Sequence, residues 1–201
     1  PYRPECHLNF TGIDEKINFR ALTMETDKGN GAYHGTIDIA EKSAEGDLLL
    51  DNFNIGNDIQ VSTRFDISKS GDNTLLQSES LDINGYDLGS CTIKADTGSM
   101  KGELSVSKNG IRNLSIRGEQ IPGKNYRGYI TTERLDLKAV EAALNRNLIP
   151  GFIRMDLDSE LFFITTGDNL YVSGRDLLVS DRNDRSNFLR FSVSSTLDDM
   201  S

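Results

Sequence analysis

Polar and apolar residues alternate along much of this chain with a period of two. In Ile59-Gln60-Val61-Ser62-Thr63-Arg64-Phe65-Asp66-Ile67-Ser68 every odd position is apolar or Thr and every even position is polar or charged. Side chains alternate faces along a strand, so this run predicts a strand with one dry and one wet face. Shorter pieces repeat the pattern: Ile37-x-Ile39, Leu104-x-Val106, Tyr126-x-Gly128-x-Ile130, Ile153-x-Met155-x-Leu157 and Leu189-x-Phe191-x-Val193. Parallel strands buried on both faces read instead as continuous apolar runs. The expectation is a mostly antiparallel or solenoid-like sheet wetted on one side.

Turn signals punctuate the runs at Lys28-Gly29-Asn30-Gly31, Ser70-Gly71-Asp72-Asn73, Thr97-Gly98-Ser99, Lys108-Asn109-Gly110 and Thr166-Gly167-Asp168-Asn169. Gly and Asn tolerate the positive φ that tight hairpins require. One helix interrupts. Asp136 is placed to cap it, and Leu137, Val140, Leu144 and Leu148 fall on one helical face. The helix is expected over Leu137 to Asn147, with Pro150-Gly151 as its stop. It is too short to stand alone in water, so its apolar stripe should lie on the sheet.

A phrase recurs. Leu81-Asp82-Ile83-Asn84-Gly85-Tyr86-Asp87-Leu88 matches Leu114-Ser115-Ile116-Arg117-Gly118-Glu119-Gln120-Ile121 and Leu170-Tyr171-Val172-Ser173-Gly174-Arg175-Asp176-Leu177, with a shortened fourth copy at Phe53–Ile59. The irregular spacing excludes a strict solenoid. Each Gly is expected to bend or bulge the chain so that a second strand begins. The units, about 31–80, 81–134 and 135–201, belong to a single β-repeat domain spanning 1–201.

This phrase, and Gly128-Tyr129-Ile130-Thr131-Thr132-Glu133-Arg134-Leu135-Asp136-Leu137-Lys138-Ala139-Val140 with its short helix, resemble the AsmA-like superfamily of bacterial envelope proteins, with its TamB-like β-taco repeats. The resemblance runs from about Gly31 to Val193. It implies a curved, U-shaped sheet with an apolar interior, a periplasmic location within a membrane-anchored protein, and a part in moving phospholipid toward the outer membrane. It implies phospholipid acyl chains and outer-membrane assembly proteins as partners. No catalytic residue comes with it. The chain opens on Pro1-Tyr2-Arg3-Pro4 without Met and ends on Asp198-Asp199-Met200-Ser201, so it reads as a piece of something longer.

Composition narrows the chemistry. The net charge is −9, and the pI is about 4.7. A nucleic-acid binder needs a basic surface, so no nucleic-acid partner is expected. With 2 His and 2 Cys, no Cys-ligated zinc cluster is available. His7 and His34 are not spaced as ligands, and no metal or cofactor is expected. The loop around Asp181 and Asp184 lacks the ligand order of an EF-hand. Asp156-x-Asp158 should put both carboxylates on a wet strand face, as a solvated pair and not an acid/base pair. No Gly-x-Ser-x-Gly elbow, phosphate loop or dinucleotide fingerprint occurs. Asn9-Phe10-Thr11 and Asn113-Leu114-Ser115 fit the glycosylation pattern only at chance level. Cys6 and Cys91 either pair in an oxidising compartment or stay as two half-buried thiols.

The reading is therefore an all-β, non-enzymatic protein with one short helix, built as a curved β-sheet groove or an open β-solenoid. The strand Ile59–Ile67 alone carries side chains whose exposure would forgo roughly 1.5–3 kcal/mol each, so its dry face must be covered. The candidate lipid-facing positions are Ile59, Val61, Phe65, Ile67, Ile83, Ile93, Val106, Ile116, Ile130 and Val172. The alternative is a closed core, in a solenoid or sandwich that serves assembly, secretion or surface binding without lipid.

Overall fold

A computed structural model describes residues 5–26, 29–55, 59–123, 125–147, 150, 153–167 and 169–197. Leu148, Gly151, Lys28, Asp168, both chain ends and the centre of the fourth phrase copy lie outside that set.

The chain runs β1 (Glu5–Ile13), β2 (Lys16–Thr26), β3 (Gly29–Asp38), β4 (Ser43–Asn54), β5 (Gln60–Ser70), β6 (Asn73–Ser78), β7 (Leu81–Ile83), β8 (Tyr86–Asp87), β9 (Ser90–Asp96), β10 (Lys101–Lys108), β11 (Ile111–Ile121) and β12 (Asn125–Asp136). Helix α1 (Leu137–Leu144) follows, then β13 (Met155–Thr166), β14 (Asn169–Asp181) and β15 (Phe188–Leu197). All belong to one antiparallel sheet of 15 strands in the order β1-β2-β3-β4-β5-β6-β9-β10-β11-β12-β13-β14-β15. The hairpin β7–β8 leaves this path and pairs with β5. The sheet does not close, because β1 and β15 each pair along one edge only. It passes without a break through all three predicted units.

The predicted turns join consecutive strands. At Asn109-Gly110, φ is 55° and 77°, the left-handed pair of a two-residue hairpin. At Thr97-Gly98-Ser99 the Asp96 carboxylate accepts from the Gly98 and Ser99 N–H groups at 2.9 and 3.0 Å. That bond pattern turns the chain within a few residues.

The repeated phrase does not form one repeated structure. Asn84-Gly85 is a hairpin turn, Gly118 lies in the regularly paired part of β11, and Gly174 precedes a bulge at Asp176, where φ is 57°. Its first half does hold one phase. Leu81 and Ile83, Leu114 and Ile116, and Leu170 and Val172 all point to the same face.

Helix α1 starts where expected, with the Asp136 carboxylate accepting from the Lys138 N–H at 3.0 Å. It ends earlier than Asn147. Asn145 takes φ 48°, ψ 42°, and its N–H returns to the Ala142 and Glu141 carbonyls. A left-handed residue halts a helix with no need of the later Pro.

Opposed residues of an antiparallel pair carry their side chains on the same side. Register therefore traces one row across the whole main path: Phe10, Phe19, Gly35, Gly46, Ile67, Leu76, Ile93, Leu104, Ile116, Ile130, Leu161, Gly174 and Val193. No polar side chain interrupts it. The core, Val61, Phe65, Leu81, Leu88, Cys91, Val106, Leu135 and Ala139, lies where α1 and the β7–β8 hairpin fold over one end of this apolar face. Among the described residues, no helix is long and apolar enough to cross a membrane.

Candidate functional site

The predicted lipid-facing positions share one face. Ile67, Ile93, Ile116 and Ile130 lie in the row just traced, and Val172 is two residues from Gly174 on the same side of β14. Val61 opposes Ile83, Val106 opposes Cys91, and Ile59 packs against the same core.

Their exposure divides them. Val61, Phe65 and Val106 are buried, Val106 to 1% exposure, so they belong to a closed core and do not face an open trough. The cover is local. The Asn84 amide donates to the Ala142 carbonyl at 2.6 Å and ties the hairpin to the helix. Ile59, Ile67, Ile83 and Ile93 are half-buried against that core, and Ile116, Ile130 and Val172 are half-buried beyond it. Toward the edge strands the face opens to water, with Leu8 58% and Leu189 63% exposed. The rings of Phe10, Phe19 and Tyr33 continue it, with centroids 6.1 and 5.8 Å apart in turn.

Cys6 and Cys91 are both free. Cys6 is exposed on β1, Cys91 is buried on β9, and β2 to β6 stand between them in the sheet. Burial pushes the Cys91 thiol up to about 11.

Alternation places Asp156 on the same face as Asp158, as expected, but not in water. It is buried, and Arg182 donates to its Oδ1 from Nε and Nη2 at 2.9 and 2.6 Å. Arg182 also reaches the Asp136 carboxylate at 2.8 Å, and the Tyr86 hydroxyl donates to the same carboxylate at 2.8 Å. Burial works against ionisation of Asp136, but the Lys138 N–H, Tyr86 and Arg182 outweigh it and hold the carboxyl below its ordinary value. Burial, then the Asp136 carboxylate, pushes the Tyr86 phenol far up. This cluster joins the hairpin, the start of α1, β13 and the strand end at Arg182. It clamps the covered end of the face.

The other candidates are committed locally. Asp158 pairs with Arg185 at 2.5 Å. The Asp181 and Asp184 carboxylates accept N–H groups from Asn183, Asp184 and Ser186 within their own loop. The Asn113 amide donates to the Glu133 and Arg134 carbonyls, and its oxygen accepts from the Lys108 N–H, so it stitches β10, β11 and β12 together. No group of three or more His, Cys, Asp or Glu suited to a metal occurs among the described residues.

The sequence reading missed a cleft of about 850 Å³ on the opposite, polar face. Two register rows form its floor. One runs Ser68, Leu75, Lys94, Glu103, Arg117, Tyr129, Phe162, and the other Ser70, Asn73, Asp96, Lys101, Glu119, Arg127. None of the predicted lipid-facing residues lines it. A signal was present in the sequence: Lys94, Lys101, Arg117 and Arg127 fall on the wet phase of consecutive strands. Reading them together requires the register.

No family model, curated protein or solved structure matches this chain.

Proposed function

We propose that this chain is a non-enzymatic apolar-face module that takes up phospholipid acyl chains, as part of a periplasmic, membrane-anchored envelope protein of the AsmA-like kind. One observation carries the reading: the uninterrupted apolar row from Phe10 to Val193, half-buried through its middle and at Val193 and exposed at its Phe10 end. Strands lie about 4.8 Å apart, so some five of them span the ~20 Å of an extended acyl chain. Each methylene removed from water contributes about 0.8 kcal/mol, so partial enclosure of one chain is already favourable. Polar headgroups would remain at the rim.

A second reading, a closed-core interaction domain, rests on the buried Val61, Phe65, Cys91 and Val106 under the helix and hairpin. Bound lipid separates the two. The protein is purified without detergent, extracted with organic solvent and examined by mass spectrometry. The acyl-chain reading expects phospholipid at a substantial fraction of one per chain. Extracts no richer in lipid than those of a soluble control protein would leave the closed-core reading.

A further inference from the structure

We propose that the polar-face cleft is a saccharide site, and that it takes an oligosaccharide bearing carboxylate groups. This is independent of the acyl-chain reading, because the two surfaces lie on opposite sides of the sheet.

The charge arrangement comes first. Across strands, Glu103 stands between Lys94 and Arg117, and Arg117 Nε donates to it at 3.1 Å. Glu119 stands between Lys101 and Arg127, 3.9 and 2.6 Å away. Asp96 is committed to its turn through Ser99 and Gly98. The cleft thus carries four cations, Lys94, Lys101, Arg117 and Arg127, against three carboxylates, Asp96, Glu103 and Glu119, and among the described residues Lys94 is the cation of the four that no carboxylate pairs. In an acidic chain this is a locally positive floor, which attracts an anionic ligand.

The carboxylates also shape the choice. A polyphosphate would meet repulsion from Glu103 and Glu119 along its length. An acidic sugar chain meets less of it, because its carboxylates stand at least a ring apart and the hydroxyls between them donate to carboxylates and accept from ammonium and guanidinium groups, in charge-assisted bonds of the strong kind. Lys94 then takes a sugar carboxylate.

An aromatic platform completes the site. Tyr129 is 51% exposed and stacks edge-on with Phe162, centroids 5.4 Å apart. An exposed ring with a polar tip suits the C–H face of a pyranose, which is apolar above the ring and rimmed by hydroxyls. Positioning is rigid, because the platform sits on β12 and β13 and not on a loop. On the reverse side the Phe163 ring lies over Gly118 and Gly128, where an added Cβ on Gly128 would stand 2.8 Å from it. The volume fits a few sugar units, within the ~300–1,000 Å³ usual for ligand sites.

The test is calorimetric titration of the full chain with trigalacturonate, a hyaluronan tetrasaccharide, neutral cellotriose and the oligonucleotide dT10. At least one acidic saccharide should bind, at least tenfold tighter than cellotriose. Lys94→Ala and Tyr129→Ala should each weaken it at least tenfold while leaving the melting temperature within a few degrees, since both side chains are exposed. Binding to neither acidic saccharide overturns the proposal. So does tighter binding of dT10, or saccharide binding that both variants leave unchanged.

Discussion

Val61 and Ser62 are adjacent, yet they differ in what they can tolerate. Val61 opposes Phe53 and Ile83 inside the core, whereas Ser62 faces the other way and accepts the Asn52 N–H at 2.9 Å. Val61→Asp buries an uncompensated carboxylate and should cost several kcal/mol. Ser62→Asp keeps an acceptor for Asn52 and should stay within about 0.5 kcal/mol. Thermal melts of the two variants check this, and equal melting temperatures would overturn the face assignment. The cysteines give a second residue-scale test. At pH 8 a thiol reagent should modify Cys6 at once and Cys91 only after denaturant is added, because Cys91 is 2% exposed and its thiol is held protonated. Fast modification of two thiols per native chain would contradict the buried β9 position. These phases were legible from alternation alone, since strand periodicity needs no knowledge of partners. Asp156 was not, because its burial depends on Arg182, which lies in a loop beyond the next strand.

At the scale of elements, the sequence announces strands and turns better than it announces their irregularities. β4, β12 and β14 each bulge at a residue of positive φ: Asn52 at 48°, Arg134 at 48° and Asp176 at 57°. Each directly precedes an inward apolar residue, Phe53, Leu135 or Leu177. The signature was in the text as two polar residues standing where alternation allows one: Asp51-Asn52, Glu133-Arg134 and Arg175-Asp176. The freed N–H groups of Asn52 and Arg134 are taken up across the sheet by Ser62 and Asp158. The repeated phrase misled for a related reason. Its apolar half fixes a face, but whether its Gly turns, bulges or stays extended depends on the neighbouring strand. The clamp at α1 yields a pH prediction. Asp136 has its pKa lowered by folding. Its contribution is therefore present above the ordinary carboxylate value, near pH 3.9, and is lost as pH falls through the lower folded value. Asp136→Asn keeps a good cap but removes that dependence. Melting temperature should fall more steeply for the unaltered chain than for the variant below about pH 4. Parallel profiles would show that Asp136 has no special role there. Asp136→Ala should also lose about 0.5–2 kcal/mol of capping at neutral pH.

For the whole molecule, the legible part was the class of fold and the existence of one apolar face. The order of strands follows the chain almost without exception, so local hairpins carry most of the topology. What the sequence could not supply is how much of that face is covered. The hairpin β7–β8 and helix α1 close one end, and that closure removes Val61, Phe65 and Val106 from the surface that could meet a ligand. The half-buried positions outside that core, Ile116, Ile130 and Val172, with Ile67 and Ile93 at its border, define where an acyl chain would lie. The opposite face emerged as a second surface with its own chemistry only once register placed four cations, three carboxylates and an aromatic pair side by side.

On the proposed function, this half-open row meets lipid. A photo-crosslinking amino acid placed at Ile116 or Ile130 in the living cell tests it most directly, with Ser62 on the polar face as the control. Phospholipid should crosslink from Ile116 and Ile130 and not from Ser62. Crosslinks from Ile116 and Ile130 to protein alone, or lipid captured equally from Ser62, would contradict it.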